Sequence, residues 1–263
     1  MILVADNIQI NNKIIRKAVE EMDPEPVREM TRRCEEAGAE AIDINPGPLS
    51  RDPEKKMTFL VEAVQGVSDL PVLLDTANPR AIEAGLQANR KTAVINGFSL
   101  EPEKREAVLP LAKKFEADII GYLLNPNGHV PPDGPERLTR AVELYEAFQK
   151  AGIDNERLII DPIVVPVIWQ NGNGQAMEVL SVIRQLPELL GFPVKTIVGL
   201  SNLTTGTGER ERGLLLERTY LAMLASSGLS MVLLNILHHE TVSTARACNA
   251  LVVQKVFTWE EIG

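Results

Sequence analysis

Cysteine, histidine and aromatic residues are scarce in this sequence, and its basic residues are outnumbered by acids. The two cysteines, Cys34 and Cys248, cannot build a disulfide framework and belong to no CxxC pair. Each falls in a helical stretch, so buried, unreactive thiols are expected. The three histidines are His129 and the adjacent pair His238-His239, a spacing that does not suit a zinc site. Lys plus Arg total 27 against 36 for Asp plus Glu, a net charge of −9. That balance excludes the basic footprint a nucleic-acid binder needs to neutralise phosphates. No run reaches the roughly eighteen apolar residues of a membrane span. Residues 1–10 are broken by Asp6 and Asn7 and carry no basic start or cleavage site, so no signal peptide is expected. The cytoplasm is the expected compartment.

What is present is a regular alternation. Short β-branched runs at 2–4, 41–44, 72–74, 93–95, 119–124, 158–160, 196–200 and 231–234 are continuous in polarity, as in parallel strands buried on both faces. Between them lie helical stretches at 25–38, 54–67, 79–89, 103–115, 135–151, 176–190, 212–227 and 241–253. Gly38, Gly152, Gly191 and Gly228 fit helix C-caps. Pro53, Pro79 and Pro135 fit helix starts, where a missing N–H costs little. Eight strands and eight helices in 263 residues match a single (β/α)8 TIM barrel spanning 1–263. The aromatic content, only 4%, agrees with an interior of Val, Ile and Leu.

Each run is followed by a carboxylate or an amide: Asp6-Asn7, Asp43 and Asn45, Asp75, Asn96, Asn125, Asp161, Ser201-Asn202 and Asn235. In this fold the carboxyl ends of the strands surround the active site, so these groups are expected at one mouth. Any one of them could instead cap a helix or make a turn. Asp43 and Asp75 are harder to dismiss, because apolar strand residues flank them and a buried carboxylate needs a partner or ligand. The ring holds no Lys, Arg or His at a strand end. A hydrolytic metal site of Asp6, Asp43, Asp75 and Asp161 is one alternative, while Thr205-Gly-Thr-Gly lacks the Lys of a P-loop. A flat, amide-rich heterocycle suits the ring better. A carboxylate accepts two hydrogen bonds from an N–C–N donor edge, and an Asn side chain donates and accepts together.

The strand-end motifs Ala41-Ile-Asp-Ile-Asn-Pro-Gly47, Leu73-Leu-Asp-Thr-Ala-Asn78, Val94-Ile-Asn96, Ile159-Ile-Asp-Pro162 and Val198-Gly-Leu-Ser-Asn202 together resemble the pterin-binding barrel superfamily. Within it, the sequence is most similar to methyltetrahydrofolate:corrinoid protein methyltransferases, over essentially its whole length. The resemblance implies a homodimer that moves the N5 methyl of methyltetrahydrofolate to the cobalt of a separate corrinoid protein, in acetyl-CoA synthesis or an O-demethylase system of anaerobic one-carbon metabolism. It assigns Asp75, Asn96 and Asp161 to the pterin edge and Asn202 to N5, with Asp161 supporting Asn202. Gly199 and Ser201 would shape the wall, and Asp43 and Asn45 the floor. Arg210 or Arg212 would face the corrinoid, and no bound metal is implied. Asp6-Asn7 stands where the family carries Glu-Arg. Dihydropteroate synthase shares the barrel, but its Ser-Arg-Lys and Arg-x-His strand ends, which grip a diphosphate, are here Ser201-Asn202-Leu203 and Leu234-Asn235-Ile236. A non-catalytic pterin-binding module is the other alternative.

Overall fold

The computed structural model describes residues 1–47, 51–252, 258–259 and 262. Eight parallel strands close into a barrel in chain order: β1 (Ile2–Gln9), β2 (Ala41–Asn45), β3 (Val72–Asp75), β4 (Ala93–Phe98), β5 (Asp118–Tyr122), β6 (Leu158–Asp161), β7 (Lys195–Gly199) and β8 (Met231–Leu234). β8 pairs back onto β1, matching Ile2 with Met231 and Ala5 with Leu234. The architecture is the expected (β/α)8 barrel.

The outer ring is α2 (Glu25–Glu36), α3 (Pro53–Gln65), α4 (Pro79–Ala88), α5 (Pro102–Lys114), α6 (Gly134–Lys150), α7 (Gly172–Leu190), α8 (Arg210–Ser226) and α9 (His239–Val252), preceded by α1 (Lys13–Glu21). Pro53 and Pro79 open their helices as expected, and Gly191 closes α7 at φ +79° in the left-handed region. Val253, the last residue of the expected final helix, lies outside the described residues. Nine α-helices therefore stand among the described residues, where the alternation counted eight. The missed one, α1, starts when the Asn12 side chain accepts from the Ile14 N–H, and it buries Ile15, Ala18 and Val19. That i, i+3, i+4 spacing is an ordinary amphipathic signal.

Packing separates into two layers with different roles. Between strands and helices lies a large core of Leu, Ile, Val and Ala that takes in Cys34; Cys34 and Cys248 are both buried, and burial pushes the Cys34 thiol up to about 12. Inside the barrel sits a smaller plug made of one residue per strand: Val4, Ala41, Leu73, Val94, Ile120, Ile159, Ile197 and Met231. A fully buried side chain of this size contributes roughly 1.5–3 kcal/mol. Because side chains alternate along a strand, the residue two positions after each plug residue also points inward, one layer nearer the mouth. That layer is Asp6, Asp43, Asp75, Asn96, Tyr122, Asp161, Gly199 and Leu233. The hydrophobic plug is thus the floor of a polar ring.

Several strand ends differ from expectation, β4 among them, which runs on through Asn96 to Phe98. β1 runs to Gln9, so Asp6 and Asn7 lie within the strand, where its pairing with β2 shifts between Ala5 and Ile8. β5 ends at Tyr122, and the loop residue Asn125 donates to Glu136 on α6 rather than facing the mouth. β7 ends at Gly199, which leaves Ser201 and Asn202 in a 3-10 turn, Leu200–Thr204.

Candidate functional site

The floor residues form a connected network on one side of the mouth. Asn96 donates through Nδ2 to Asp43 Oδ1 at 3.1 Å and accepts at Oδ1 from the Tyr122 hydroxyl at 2.7 Å. Asn45 Nδ2 donates to Asp75 Oδ2 at 2.6 Å, while the Asn45 Oδ1 accepts from the Gly47 N–H. The sheet register sets these meetings: Asp75 lies beside Asn96 across β3 and β4, and Tyr122 beside Asp161 across β5 and β6. Gly97 lets β4 and β5 approach here, since a Cβ would lie 2.4 Å from the Ile120 carbonyl oxygen and 3.0 Å from the Tyr122 ring.

A cavity of about 440 Å³ opens over this network, lined among others by Asp75, Thr76, Asn96, Gly97 and Tyr122. Lys104 of α5 reaches its rim but is paired with Glu101 at 2.8 Å. A larger groove of about 800 Å³ lies elsewhere, between α5 and α6, and holds none of the strand-end groups.

The carboxylates here are crowded and dry. Burial, joined by the charge of Asp75, pushes the Asp43 carboxyl well above the usual range, against the Asn96 hydrogen bond. Burial lifts Asp75 to about 6, opposed by Asn45. Asp161 is raised to about 7 by burial, opposed by the Ile163 N–H, which donates to its Oδ1 at 2.7 Å, and by the Arg137 guanidinium. Tyr122 is held well above its ordinary value by burial and then by Asp75, Asp161 and Asp43. Such a set keeps acceptors waiting in a low-dielectric ring, where a ligand's N–H groups would regain the lost solvation. Among the described residues, Asn96 retains one amide N–H and one lone pair beyond its two bonds, and Asp75 retains Oδ1.

The opposite side, at β7, β8 and β1, is more open. Ser201 and Asn202 are both exposed. Gly199 makes room for Asn202: a Cβ there would sit 3.0 Å from the Asn202 Nδ2. A second cavity of about 270 Å³ is lined by Asp6, Ser201, Arg210, Glu217, Asn235 and His238, with others. Burial raises Asp6 to about 6, with Glu217 adding to the effect. Asn7 is a brace, donating to Asn235 Oδ1 at 2.7 Å and accepting from the Ile236 N–H at 3.1 Å, so it ties β1 to β8. Arg212 is exposed and lies 3.8 Å from Glu209.

Of the expected site residues, Asp43, Asn45, Asp75 and Asn96 are therefore joined by hydrogen bonds, and Asp161 stands beside them across Tyr122. Gly199 and Asn202 touch each other, and Ser201 and Arg210 share the second cavity. Arg212 lines neither cavity. Tyr122 and Glu217 were not anticipated. Tyr122 was legible, as it lies two residues beyond the interior Ile120; Glu217 arrives from a helix and had no local signal. Among the described residues, no three His, Cys, Asp or Glu side chains are arranged to hold a metal ion, so the four aspartates do not form the alternative hydrolytic centre.

A ring of inward carboxylates and amides above an aliphatic plug is what the strand-end motifs implied, and the sequence match covers the same ground. The family model described as pterin binding enzyme matches residues 11–235. This chain belongs to that family. Within it, the pterin-binding barrel is 22% identical over 255 residues to the methylcorrinoid:tetrahydrofolate methyltransferase of Eubacterium limosum, covering 96% of this chain and 91% of that protein. It is also 22% identical over 228 residues to methionine synthase of Mycobacterium leprae (strain TN), covering 82% of this chain but only 18% of that much longer protein. Yersinia pestis dihydropteroate synthase in complex with a sulfonamide drug shares the fold, with a TM-score of 0.71 at 17% identity over 97% of this chain and 94% of that one. No helix among the described residues is long and apolar enough to cross a membrane.

Proposed function

We propose that this pterin-binding barrel is a methyltransferase that moves a methyl group between N5 of methyltetrahydrofolate and the cobalt of a corrinoid carried by a separate protein, acting as a homodimer. The observation that carries the reading is the chemistry of the ring. It offers acceptors and amides at the strand ends, with no Lys or Arg there to grip a diphosphate, and β7 closes on Ser201-Asn202. Near full-length similarity to the E. limosum methyltransferase supports it.

In this reading the pterin lies over the Asp75–Asn96–Asp161 side. Its N–C–N donor edge gives hydrogen bonds to the Asp75 and Asp161 carboxylates, and Asn96 uses its spare N–H and lone pair on the neighbouring carbonyl and ring nitrogen. Asp43, Asn45 and Tyr122 hold these groups in place. The strong nucleophile is the partner's reduced cobalt, so the barrel needs none of its own. As the methyl–N5 bond breaks, its electron pair stays on N5, which takes a proton to give tetrahydrofolate. Asn202, held over Gly199, donates to N5 and strengthens that bond as negative charge develops there. Asp161 supports Asn202 through water. Arg210 and Arg212 face the arriving corrinoid protein across the more open half.

Stopped-flow mixing with 5-methyltetrahydrofolate and free cob(I)alamin, and with candidate corrinoid proteins, tests the reading. Loss of the Co(I) absorbance with one tetrahydrofolate released per methyl transferred is expected. Binding of the folate without transfer to any corrinoid would instead identify a pterin-binding module, and product from a pterin diphosphate and p-aminobenzoate would identify a synthase.

A further inference from the structure

Arg137 on α6 is the largest fully buried side chain in the molecule. Among the described residues it pairs with no carboxylate. All its hydrogen bonds go to neutral acceptors: Nη1 donates to the Pro162 carbonyl at 2.8 Å and the Ile163 carbonyl at 2.9 Å, Nε to the Pro131 carbonyl at 3.2 Å, and Nη2 to Gln175 Oε1 at 3.1 Å. Two of these carbonyls belong to the residues that follow Asp161 directly. Ile163, a β-branched residue, is held at φ +63°, a conformation that costs of order 1–3 kcal/mol and persists only when its surroundings impose it. In that conformation its carbonyl turns out towards Arg137, while its N–H turns in and donates to Asp161 Oδ1.

We propose that Arg137, which touches no cavity at the mouth, is the positioning residue that aims the Asp161 carboxyl at the ligand by clamping the Pro162–Ile163 turn behind it; the proposal rests on Asp161 being a pterin ligand. A buried cation surrounded only by neutral acceptors is expensive, and an apolar side chain of similar volume would fill the space at less cost. The field of the guanidinium favours the charged form of Asp161. Burial lowers the Arg137 value in turn, opposed by Tyr220, Asp161, Glu178 and Asp133. Tyr122 on β5 also faces Asp161, together with Asp75 and Asp43. One side chain thus holds the turn that directs the Asp161 carboxyl and biases it towards its charged form.

The test uses the full chain and reads the Asp161 titration directly, by carboxyl carbon NMR of the unliganded protein between pH 4 and 9, assigned with Asp161→Asn. Two variants separate charge from packing. Arg137→Gln removes the cation. Gln175→Glu leaves Arg137 in place but sets a carboxylate against its Nη2, neutralising its field while adding a charge-assisted hydrogen bond that keeps the fold intact. Each is expected to move the Asp161 midpoint alkaline by about one pH unit, and Arg137→Lys to restore most of it. Binding of 5-methyltetrahydrofolate should weaken about fivefold at pH 7 and by less than threefold at pH 9, with no further loss when combined with Asp161→Asn. An unmoved midpoint in Gln175→Glu, or a binding loss equal at both pH values and additive with Asp161→Asn, overturns the positioning role. If the midpoint moves but the wild-type protein binds no folate, the proposal for Arg137 stands and the substrate assignment fails.

Discussion

The two halves of the barrel mouth are built on opposite plans. On the β2–β6 side every polar side chain of the inner ring is already hydrogen-bonded: Asp43 to Asn96, Asn96 to Tyr122, Asp75 to Asn45, and Asp161 to the backbone of the turn behind it. On the β7–β8–β1 side Ser201, Asn202 and Arg210 are exposed, and Asn7 braces Asn235 across β1 and β8. A network fixed before the ligand arrives costs little entropy when it binds, which suits recognition of one rigid heterocycle. An open half with exposed amide and guanidinium groups suits a second, larger reactant that must come and go. On the proposed reading affinity belongs to one side and turnover to the other, and substitutions on each side should separate the two.

The largest effect is expected at Asp75. On the proposed reading, Asp75→Asn removes the charge that would accept from the pterin edge, worth about 2–4 kcal/mol for two charge-assisted bonds, so 5-methyltetrahydrofolate affinity should fall about 30- to 1000-fold by calorimetry. Equal affinity would place the pterin elsewhere. Asn202→Ala should do the reverse, slowing single-turnover methyl transfer by about ten- to a thousandfold while folate affinity changes less than threefold. If the affinity falls and the rate holds, the division between halves is lost. Tyr122→Phe deletes one hydrogen bond to Asn96 and keeps the ring, so binding should weaken about three- to tenfold with the rate intact. A rate defect in that variant would mean that the network reaches the chemistry.

The smallest effect concerns stability. Burial raises Asp161 from an ordinary carboxylate value to about 7 in the folded chain, so the folded state holds a proton that the unfolded state has released between about pH 4 and 7. Stability of the unliganded protein therefore falls as pH rises through that window. Asp161→Asn still accepts from the Ile163 N–H but carries no charge, so it should raise Tm by a few degrees at pH 8 and by almost nothing at pH 5. The same shift at both pH values, followed by circular dichroism, would mean that Asp161 keeps its charge without a ligand.

Strand interiors could be read from the chain because a parallel barrel imposes short continuous apolar runs, and the polar residue after each run marked most of the ring. Asp43, Asp75, Asn96 and Asp161 were found in this way. The same rule failed where a strand did not stop at its last apolar residue. It placed Asn125 at the mouth, where the two-residue alternation beyond Ile120 instead brings Tyr122. It also set Asn202 at a strand end, whereas β7 stops at Gly199 and a 3-10 turn carries Asn202 back over it. Arg137 was read only as part of a helix, since nothing in a helical stretch records that one side chain reaches across to the turn after β6.

By itself the sequence determined the barrel and which residue types gather at its mouth, because strand periodicity and strand order are local and repeating properties. Only the tertiary structure decided which of those residues are bound to one another and which are left open. Hydrogen-bond partners such as Asn45 and Asp75, or Asn96 and Tyr122, come from different strands, and their meeting depends on barrel closure and register. So does the charge each carboxyl carries, because desolvation and the Arg137 field exist only once the chain has folded around them.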